Sequence, residues 1–451
     1  MMVGVSGVRG RPGVDLTPEA VFSFAASFGS YCKKGKIVVG RDTRPSGEML
    51  KHAVISALLS VGCEVVDLGI APTPSIILSV KELGASGGIA ITGSHNPPEW
   101  NALKFISSQG CFLDAKEGMR LKEIVERKNY RYVEWNEIGK LVEDKKAKER
   151  HIEKVLSLVD REKVRGIKVA FDAGNGATFE EYPLFLEMAG CEVLRVFCEP
   201  DGEFRRMPEP VPENLKELEK TVKKNKLHAG FATDADGDRI SIVTDEGIAV
   251  GEEFTLALAV KYYLKKKKGP VVVNLSTSRM VEEIAKEAGV SFFRTKVGEA
   301  NVVKLMKEKG AVIGGEGNGG VILPEVNFTR DGMVAMALIL QYMAEDGKSL
   351  SQLVRDLPEY YMVKKKIVYE NPEEAKAFLQ NFRRYFKNER KDETDGIRVE
   401  WEDSWIHVRK SGTEPVVRII AEADSPEEAA NLVRLAMDAG KGDECAELLD
   451  M

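Results

Sequence analysis

The feature that most constrains this chain is a pattern written three times along it. A β-type run, Lys36-Ile37-Val38-Val39-Gly40, leads through a polar turn into a helical segment that starts near Ser46. That segment stops near Val61-Gly62, and Cys63-Glu64-Val65-Val66 begins a new strand. Lys168-Val169-Ala170-Phe171 opens the same series, with a helix ending at Ala189-Gly190 and a strand at Cys191-Glu192-Val193-Leu194. Val271-Val272-Val273-Asn274 opens it again, with a helix through Ile284-Ala285 and a strand over Ala288-Gly289-Val290-Ser291-Phe292. Each unit reads strand, helix, glycine stop, strand, and glycine suits a left-handed helix cap. Strands alternating with helices predict βαβ units and mainly parallel sheets.

Every unit has a further apolar strand that opens onto a polar loop. Gly88-Ile89-Ala90-Ile91 runs into Thr92-Gly93-Ser94-His95-Asn96-Pro97, and Ala229-Gly230-Phe231-Ala232 into Thr233-Asp234-Ala235-Asp236-Gly237-Asp238-Arg239. Ala311-Val312-Ile313 runs into Gly314-Gly315-Glu316-Gly317-Asn318-Gly319-Gly320. Ligands of open α/β sheets gather beyond the carboxyl ends of strands. Three equivalent strand ends carrying three different loops therefore predict one shared cleft. From about Tyr360 the pattern changes to strands at Val363–Tyr369, Ile397–Trp401, Trp405–Val408 and Val416–Ala421, with helices after Pro372 and from Pro426. Boundaries are expected near Asp144–Arg150, Asp245–Ile248 and Pro358–Tyr361. The expected fold is α/β: three similar mixed α/β domains (1–148, 149–246, 247–359), then a smaller α+β domain (360–451), around a central cleft. A length of 451 residues suits three or four domains.

Composition narrows the function. Hydrophobic residues at 43% are too many for a mainly disordered chain, and a net charge of −6 argues against nucleic-acid or membrane-surface partners. No run of about 18 apolar residues occurs, so no transmembrane helix is expected. The first residues lack a basic region followed by a long apolar run, which predicts a cytoplasmic protein. None of the six cysteines forms a C-x-x-C pair, so buried, reduced thiols are expected rather than a zinc or dithiol site. The lysine runs Lys265–Lys268 and Lys364–Lys366 read as solvated faces.

Chemistry concentrates in the loops. Asp234, Asp236 and Asp238 alternate through a tight glycine turn, a repulsive spacing that a hard divalent cation such as magnesium resolves. An EF-hand reading fails because the β-run Ile240-Ser241-Ile242-Val243 follows directly. Ser94, between glycine and histidine at a strand end, is a candidate nucleophile, although a plain turn has the same composition. The G-x-S-x-G elbow of serine hydrolases is absent. Lys104, in the same segment, could hold phosphate or move a proton. Arg409-Lys410-Ser411-Gly412-Thr413-Glu414-Pro415, with Arg418 beyond, reads as an anion site, because guanidinium forks and backbone N–H groups match phosphate oxygens. The loops around Arg9 and over Gly40–Gly47 add arginines without forming a P-loop.

The Ser-His-Asn-Pro loop, the Asp-x-Asp-Gly-Asp-Arg loop, Gly315-Glu316-Gly317-Asn318-Gly319-Gly320 and Arg-x-Ser-Gly-Thr-Glu-Pro occur in that order across nearly the whole chain. In this the chain resembles the α-D-phosphohexomutase family, archaeal-type members in particular. The resemblance implies interconversion of hexose 1-phosphate and hexose 6-phosphate through a phosphoserine and a 1,6-bisphosphate, with a glucosamine, mannose or glucose phosphate as substrate. It implies that Ser94 carries the phosphoryl group and that Asp234, Asp236 and Asp238, with the Ser94 phosphate, bind one Mg2+ per chain. Arg9, Lys104 and Arg239 would line the reaction centre. Glu316 and Asn318 would read sugar hydroxyls, with Thr295 and Gly298 in a further substrate loop. Arg409, Ser411, Gly412, Thr413 and Arg418 would grip the non-reacting phosphate. Hexose phosphates would be its partners, a hexose 1,6-bisphosphate its activator, and a monomer or homodimer its assembly. A metal-dependent sugar-phosphate phosphatase and a non-catalytic sugar-phosphate sensor are the rival readings. Gly93 stands where many members have alanine, Asn318 where many have serine, and Gly320 where some have a histidine that assists proton transfer.

Overall fold

The computed structural model of the chain describes residues 2–4, 7–411 and 416–442. Three of its sheets share one four-stranded core. In the first, strands Glu64–Ile70, Lys36–Arg41, Gly87–Ile91 and Asn101–Ser107 lie side by side in that order. In the second, the same places are held by Glu192–Val196, Lys168–Asp172, Ala229–Thr233 and Ile240–Thr244. In the third they are held by Phe292–Thr295, Val271–Asn274, Ile313–Glu316 and Gly320–Ile322. The first three strands of each set are parallel and the fourth is antiparallel. The repeated cores are mainly parallel, as the sequence predicted, and the one antiparallel strand in each makes the sheets mixed. The polar loops cause this: each turns the chain straight back beside the strand it leaves, and a direct return can only pair antiparallel.

Glycine stops the repeated helices as expected. Gly190 caps Glu181–Ala189 at φ +101°, donating to the Glu187 and Leu186 carbonyls. Gly314, Gly315 and Glu316, read from sequence as loop, belong to the third strand instead. A Cβ on Gly314 would overlap the Val272 carbonyl and lie 2.9 Å from Met306 Sδ, so the glycine admits a close approach of helix Glu299–Lys309 to the sheet.

The first sheet is widened to eight strands, with Gly7–Gly10 antiparallel to Asn101–Ser107 on one side and Leu141–Glu143 parallel to Glu64–Ile70 on the other. The last sheet has five strands, all antiparallel, and buries its apolar face under helices Pro372–Tyr385 and Pro426–Lys441. Its core is separate from the others. The second and third sheets share one continuous core, which includes Phe171, Phe231, Leu256, Val273 and the deeply buried helix Gly332–Asp346. Five cysteines are described, all free; Cys32, Cys63 and Cys191 are buried, Cys111 and Cys198 half-buried, and Cys445 lies outside the described residues. No helix among the described residues is long and apolar enough to cross a membrane.

One polar cluster pins three of the units together. His151, on the connecting helix Ala147–Leu156, is fully buried. Its Nδ1 lies 2.7 Å from Glu181 Oε1 and its Nε2 lies 2.7 Å from Asp331 Oδ2. Ser75, on helix Thr73–Glu82, donates to Glu181 Oε1 at 2.6 Å. Burial alone would lower the imidazole pKa, but the Asp331 and Glu181 carboxylates reverse that and push it up to about 10. The folded-state value lies above the unfolded 6.5, so this contribution to stability is complete below about pH 6.5 and fades as pH rises through about 10. His151→Leu leaves two buried carboxylates without their counter-charge and is expected to cost about 3–5 kcal/mol. Melting curves check this: the gap in Tm between wild type and variant should be wide near neutral pH and should narrow as the pH approaches 10. A gap that widens with rising pH contradicts the assignment of a charged imidazole.

Candidate active site

The strand Gly87–Ile91 delivers Ser94 to the cleft in an unusual conformation. Its φ is +50°, a left-handed value uncommon for a residue with a side chain. Such strain persists where surrounding contacts over-determine it, often at functional sites. Here Ser94 N donates to Thr92 Oγ1 at 2.8 Å, and Arg44 Nη2 donates to the carbonyls of Ser94 and Asn96 at 2.8 and 2.6 Å. Arg44 is fully buried, with Nε 3.3 Å from Asp42 Oδ2, and Thr92 Oγ1 donates to that same oxygen at 2.7 Å. The sequence marked this arginine only as one of several in glycine-rich loops. It is the inner support of the serine loop.

The held serine donates from Oγ to Asp234 Oδ2 at 2.7 Å, joining the first polar loop to the second. Asp234, Asp236 and Asp238 are all buried, and one carboxylate oxygen from each lies within 4.8 Å of the others. Gly237 makes the turn at φ +75° and donates to Asp234 Oδ1 at 3.1 Å. Burial, and then the Asp236 and Asp238 charges, push the Asp234 pKa well above the ordinary carboxylate range. Burial acts the same way on Asp236, but Lys104 overcomes it and holds that carboxyl below its ordinary value. Lys104 Nζ and Thr73 Oγ1 both sit 2.6 Å from Asp236 Oδ2. Arg330 Nη2 sits 2.6 Å from Asp238 Oδ2. Asp236 Oδ1 and Asp238 Oδ1 are left buried without a hydrogen-bond partner. Bare buried carboxylate oxygens beside Asp234 are what a small, hard cation satisfies, so this donor set fits magnesium.

The other predicted residues surround this centre. Arg9 Nη1 donates to Asn96 Oδ1 of the serine loop at 3.3 Å. Arg239 lies 3.8 Å from Asp238 Oδ1 and 3.6 Å from Glu209 Oε1. Gly319 of the third loop accepts from Ile240 N at 3.1 Å, which sets that loop beside the metal-type loop. Asn318 Oδ1 is buried with no partner, an acceptor available to a hydroxyl. Glu316 is already engaged: Oε1 accepts from Asn274 Nδ2 at 2.7 Å and Gly298 N at 2.8 Å, while Oε2 lies 2.9 Å from Arg330 Nη1. Thr295 ends the neighbouring strand, and its carbonyl accepts from Leu275 N at 2.8 Å.

Arg409 and Arg418 face each other across antiparallel strands Trp405–Lys410 and Val416–Ala423. Burial first, and then Arg418, draw the Arg409 pKa below its ordinary value against the opposing pull of Asp395 and Glu316. Asp395 Oδ2 lies 3.9 Å from Arg409 Nη1 and accepts from Val297 N at 3.0 Å, linking the fourth unit to the third. Ser411 is buried beside this pair, and its N donates to the Val416 carbonyl at 2.9 Å. Gly412 and Thr413 lie outside the described residues. Sequence reasoning missed Thr73, Arg330 and Asp395, which stand outside any recognisable motif.

The descriptions of Phosphoglucomutase/phosphomannomutase alpha/beta/alpha domains I, II and III match residues 1–131, 149–247 and 252–361, and that of the C-terminal domain matches residues 366–439. The chain belongs to the phosphoglucomutase/phosphomannomutase family. It is 39% identical over 434 residues to a probable phosphoglucosamine mutase of Methanopyrus kandleri, covering 95% of each chain. A phosphoglucomutase/phosphomannomutase of Thermococcus kodakarensis is 38% identical, with 97% of each chain covered. A family protein of Burkholderia thailandensis, known from its crystal structure, superposes with a TM-score of 0.87 at 26% identity over 98% of both chains. The chain is thereby an intramolecular phosphotransferase of the isomerase class.

The glycine before the serine has a packing reason. A Cβ on Gly93 would lie 2.6 Å from Arg44 Nε and 2.8 Å from the Trp100 carbonyl. Arg44 is enclosed and cannot swing aside. Gly93→Ala is therefore expected to cost about 1–3 kcal/mol, the range for overpacking. Thermal unfolding measures it; an unchanged Tm contradicts the crowding.

Proposed function

We propose that the chain interconverts hexose 1-phosphates and hexose 6-phosphates, with Ser94 carrying the phosphoryl group and a 1,6-bisphosphate as intermediate. The carrying observation is the 2.7 Å hydrogen bond from Ser94 Oγ to a buried aspartate triad that has two bare oxygens. No turn residue needs such company, and phosphoryl transfer rests on positioning and charge neutralisation. Asp234, Asp236 and Asp238 are the residues that would hold Mg2+, which when bound supplies charge to the phosphoryl oxygens as a Lewis acid.

This chain's own groups do the rest. Arg44 and Asp42 hold Ser94 in its strained pose, so Oγ meets an incoming phosphate without reorganising. Lys104 is charged, its pKa raised because the Asp236 and Asp238 carboxylates outweigh burial, and it supplies a proton or a positive charge at the transferred group. Arg239 and Arg9 border the same space. Asn318 Oδ1 accepts from a sugar hydroxyl, and Glu316 is oriented for the same task by Asn274, Gly298 and Arg330. Arg409, Arg418 and Ser411, with Gly412 and Thr413 next in the chain, take the phosphate that is not reacting. The bisphosphate must turn end over end between the two transfers. A fourth unit with its own core, which can shift while keeping its phosphate, suits that demand.

Glucosamine, glucose and mannose phosphates are the substrate candidates, in keeping with the relatives' names. The four units are taken as 1–148, 149–246, 247–359 and 360–451, in a cytoplasmic monomer or homodimer activated by hexose 1,6-bisphosphate.

A panel of the three 1-phosphates ranks the substrates. Ser94→Ala is expected to lose nearly all turnover on the best of them while still binding it; high turnover by that variant contradicts the serine carrier. Charge-assisted hydrogen bonds are worth about 1.5–3 kcal/mol each. Arg409→Ala is therefore expected to weaken hexose phosphate binding roughly ten- to a hundredfold, leave magnesium affinity unchanged and release more free bisphosphate. Calorimetry and product analysis on one preparation check all three; magnesium affinity falling together with sugar affinity counts against an independent clamp.

A further inference from the structure

Arg330 belongs to none of the loops that mark the family, yet it makes the densest set of ion pairs at the site. It sits between strand Gly320–Ile322 and helix Gly332–Asp346. Its Nη2 lies 2.6 Å from Asp238 Oδ2, its Nη1 lies 2.9 Å from Glu316 Oε2, and its Nε lies 2.9 Å from Glu299 Oε2. Glu299 is itself fixed, since Thr329 Oγ1 donates to its Oε1 at 2.6 Å. All four groups are buried.

The two outer aspartates are held alike. Lys104 and Thr73 occupy Asp236 Oδ2 and leave Oδ1 bare. Arg330 hydrogen-bonds Asp238 Oδ2, with Lys104 Nζ farther off at 3.6 Å from the same oxygen, and Oδ1 is left without a hydrogen bond, Arg239 Nε lying 3.8 Å from it. We infer that Arg330 is a positioning residue: it holds Asp238 so that one oxygen stays free for the cation, and with the same guanidinium locks that carboxylate to Glu316 of the sugar loop. The inference rests on the mutase reading and extends it to a residue outside the motifs. One planar, permanently charged fork thus sets the metal loop and the sugar loop in a single geometry.

The glycine at 320 supports this placement. A Cβ there would overlap Arg330 Cδ, lie 2.7 Å from Cγ and 3.1 Å from Asn318 Oδ1. The stem of Arg330 fills the space that any side chain at position 320 would take.

The test uses the whole protein and two variants, Arg330→Met, which keeps the stem and removes the charge, and Arg330→Lys. Magnesium affinity is measured by calorimetry without sugar, followed by kcat and KM for the best hexose 1-phosphate. Loss of a group that orients a metal ligand weakens binding by about 10–100-fold. Arg330→Met is expected to fall in that range, with kcat lowered by a similar factor and KM raised. Arg330→Lys is expected to recover most of the magnesium affinity while KM stays raised, because one ammonium reaches Asp238 but does not span to Glu316 as well. Arg330→Met with wild-type magnesium affinity overturns the inference, and so does Arg330→Lys with wild-type KM. If Arg330→Met does not fold, Gly320→Ala displaces the stem without touching the charge. It is expected to raise KM and weaken magnesium binding together, and wild-type values for both overturn the inference. The sugar-free titration separates the two readings. A wild type that turns over no hexose phosphate sinks the mutase reading alone, whereas normal turnover with an unaffected Arg330→Met sinks this one alone.

Discussion

Three carboxylates buried within one glycine turn are tolerable only if their charge is met from outside the turn. Asp234, Asp236 and Asp238 repel one another, and their own strand-and-loop unit offers little to offset this beyond backbone N–H groups and the more distant Arg239. The balance arrives from the neighbours: Ser94, Thr73 and Lys104 from the first unit and Arg330 from the third. Removing one partner of a buried ion pair strands the other, at a cost of several kcal/mol. The placement of the first three units is thus tied to the electrostatics of the loop between them. In the reaction proposed above, the residues that satisfy the aspartates are also those that would surround the transferred phosphoryl group.

The hydrophobic core divides the molecule differently from the charges. The second and third units share one core, and helix Gly332–Asp346 runs through it. Asp331, at the start of that helix, also holds His151. Metal loop and sugar loop therefore sit on a common apolar base. The fourth unit has its own core and reaches the third through polar contacts such as Val297 to Asp395 and Ser276 to His407. Polar interfaces of this kind favour relative motion between domains more than continuous apolar ones do. The proposed bisphosphate, which would have to turn over without being lost, would be served by one shared-core wall and one separately packed clamp.

Much of this was legible in the sequence because it is periodic or clustered. Strand, helix, glycine stop and strand recur, so the units stood out without coordinates. The Asp loop and the Ser-His-Asn loop concentrate unusual residue types over a few positions. The antiparallel return of each fourth strand was not read, since it follows from loop closure. Gly314 and Gly315 passed for loop because glycine in a strand pressed against a helix has the same composition as glycine in a turn. Arg330, His151 and Asp395 were missed, and Arg44 was marked only as one arginine among several, for one physical reason. A lone charged residue turns inward or outward according to which distant groups await it, and those groups lie up to hundreds of residues away in the chain.

Ser94 is the proposed carrier through which a phosphoryl group passes between the two ends of a sugar. The most direct measurement charges dephosphorylated protein with radiolabelled hexose 1,6-bisphosphate, locates the label by proteolysis, and chases it with unlabelled hexose 1-phosphate. Label is expected on the peptide containing Ser94, discharged into hexose bisphosphate at least as fast as turnover. Label on another residue, or label released chiefly as free phosphate, would contradict it.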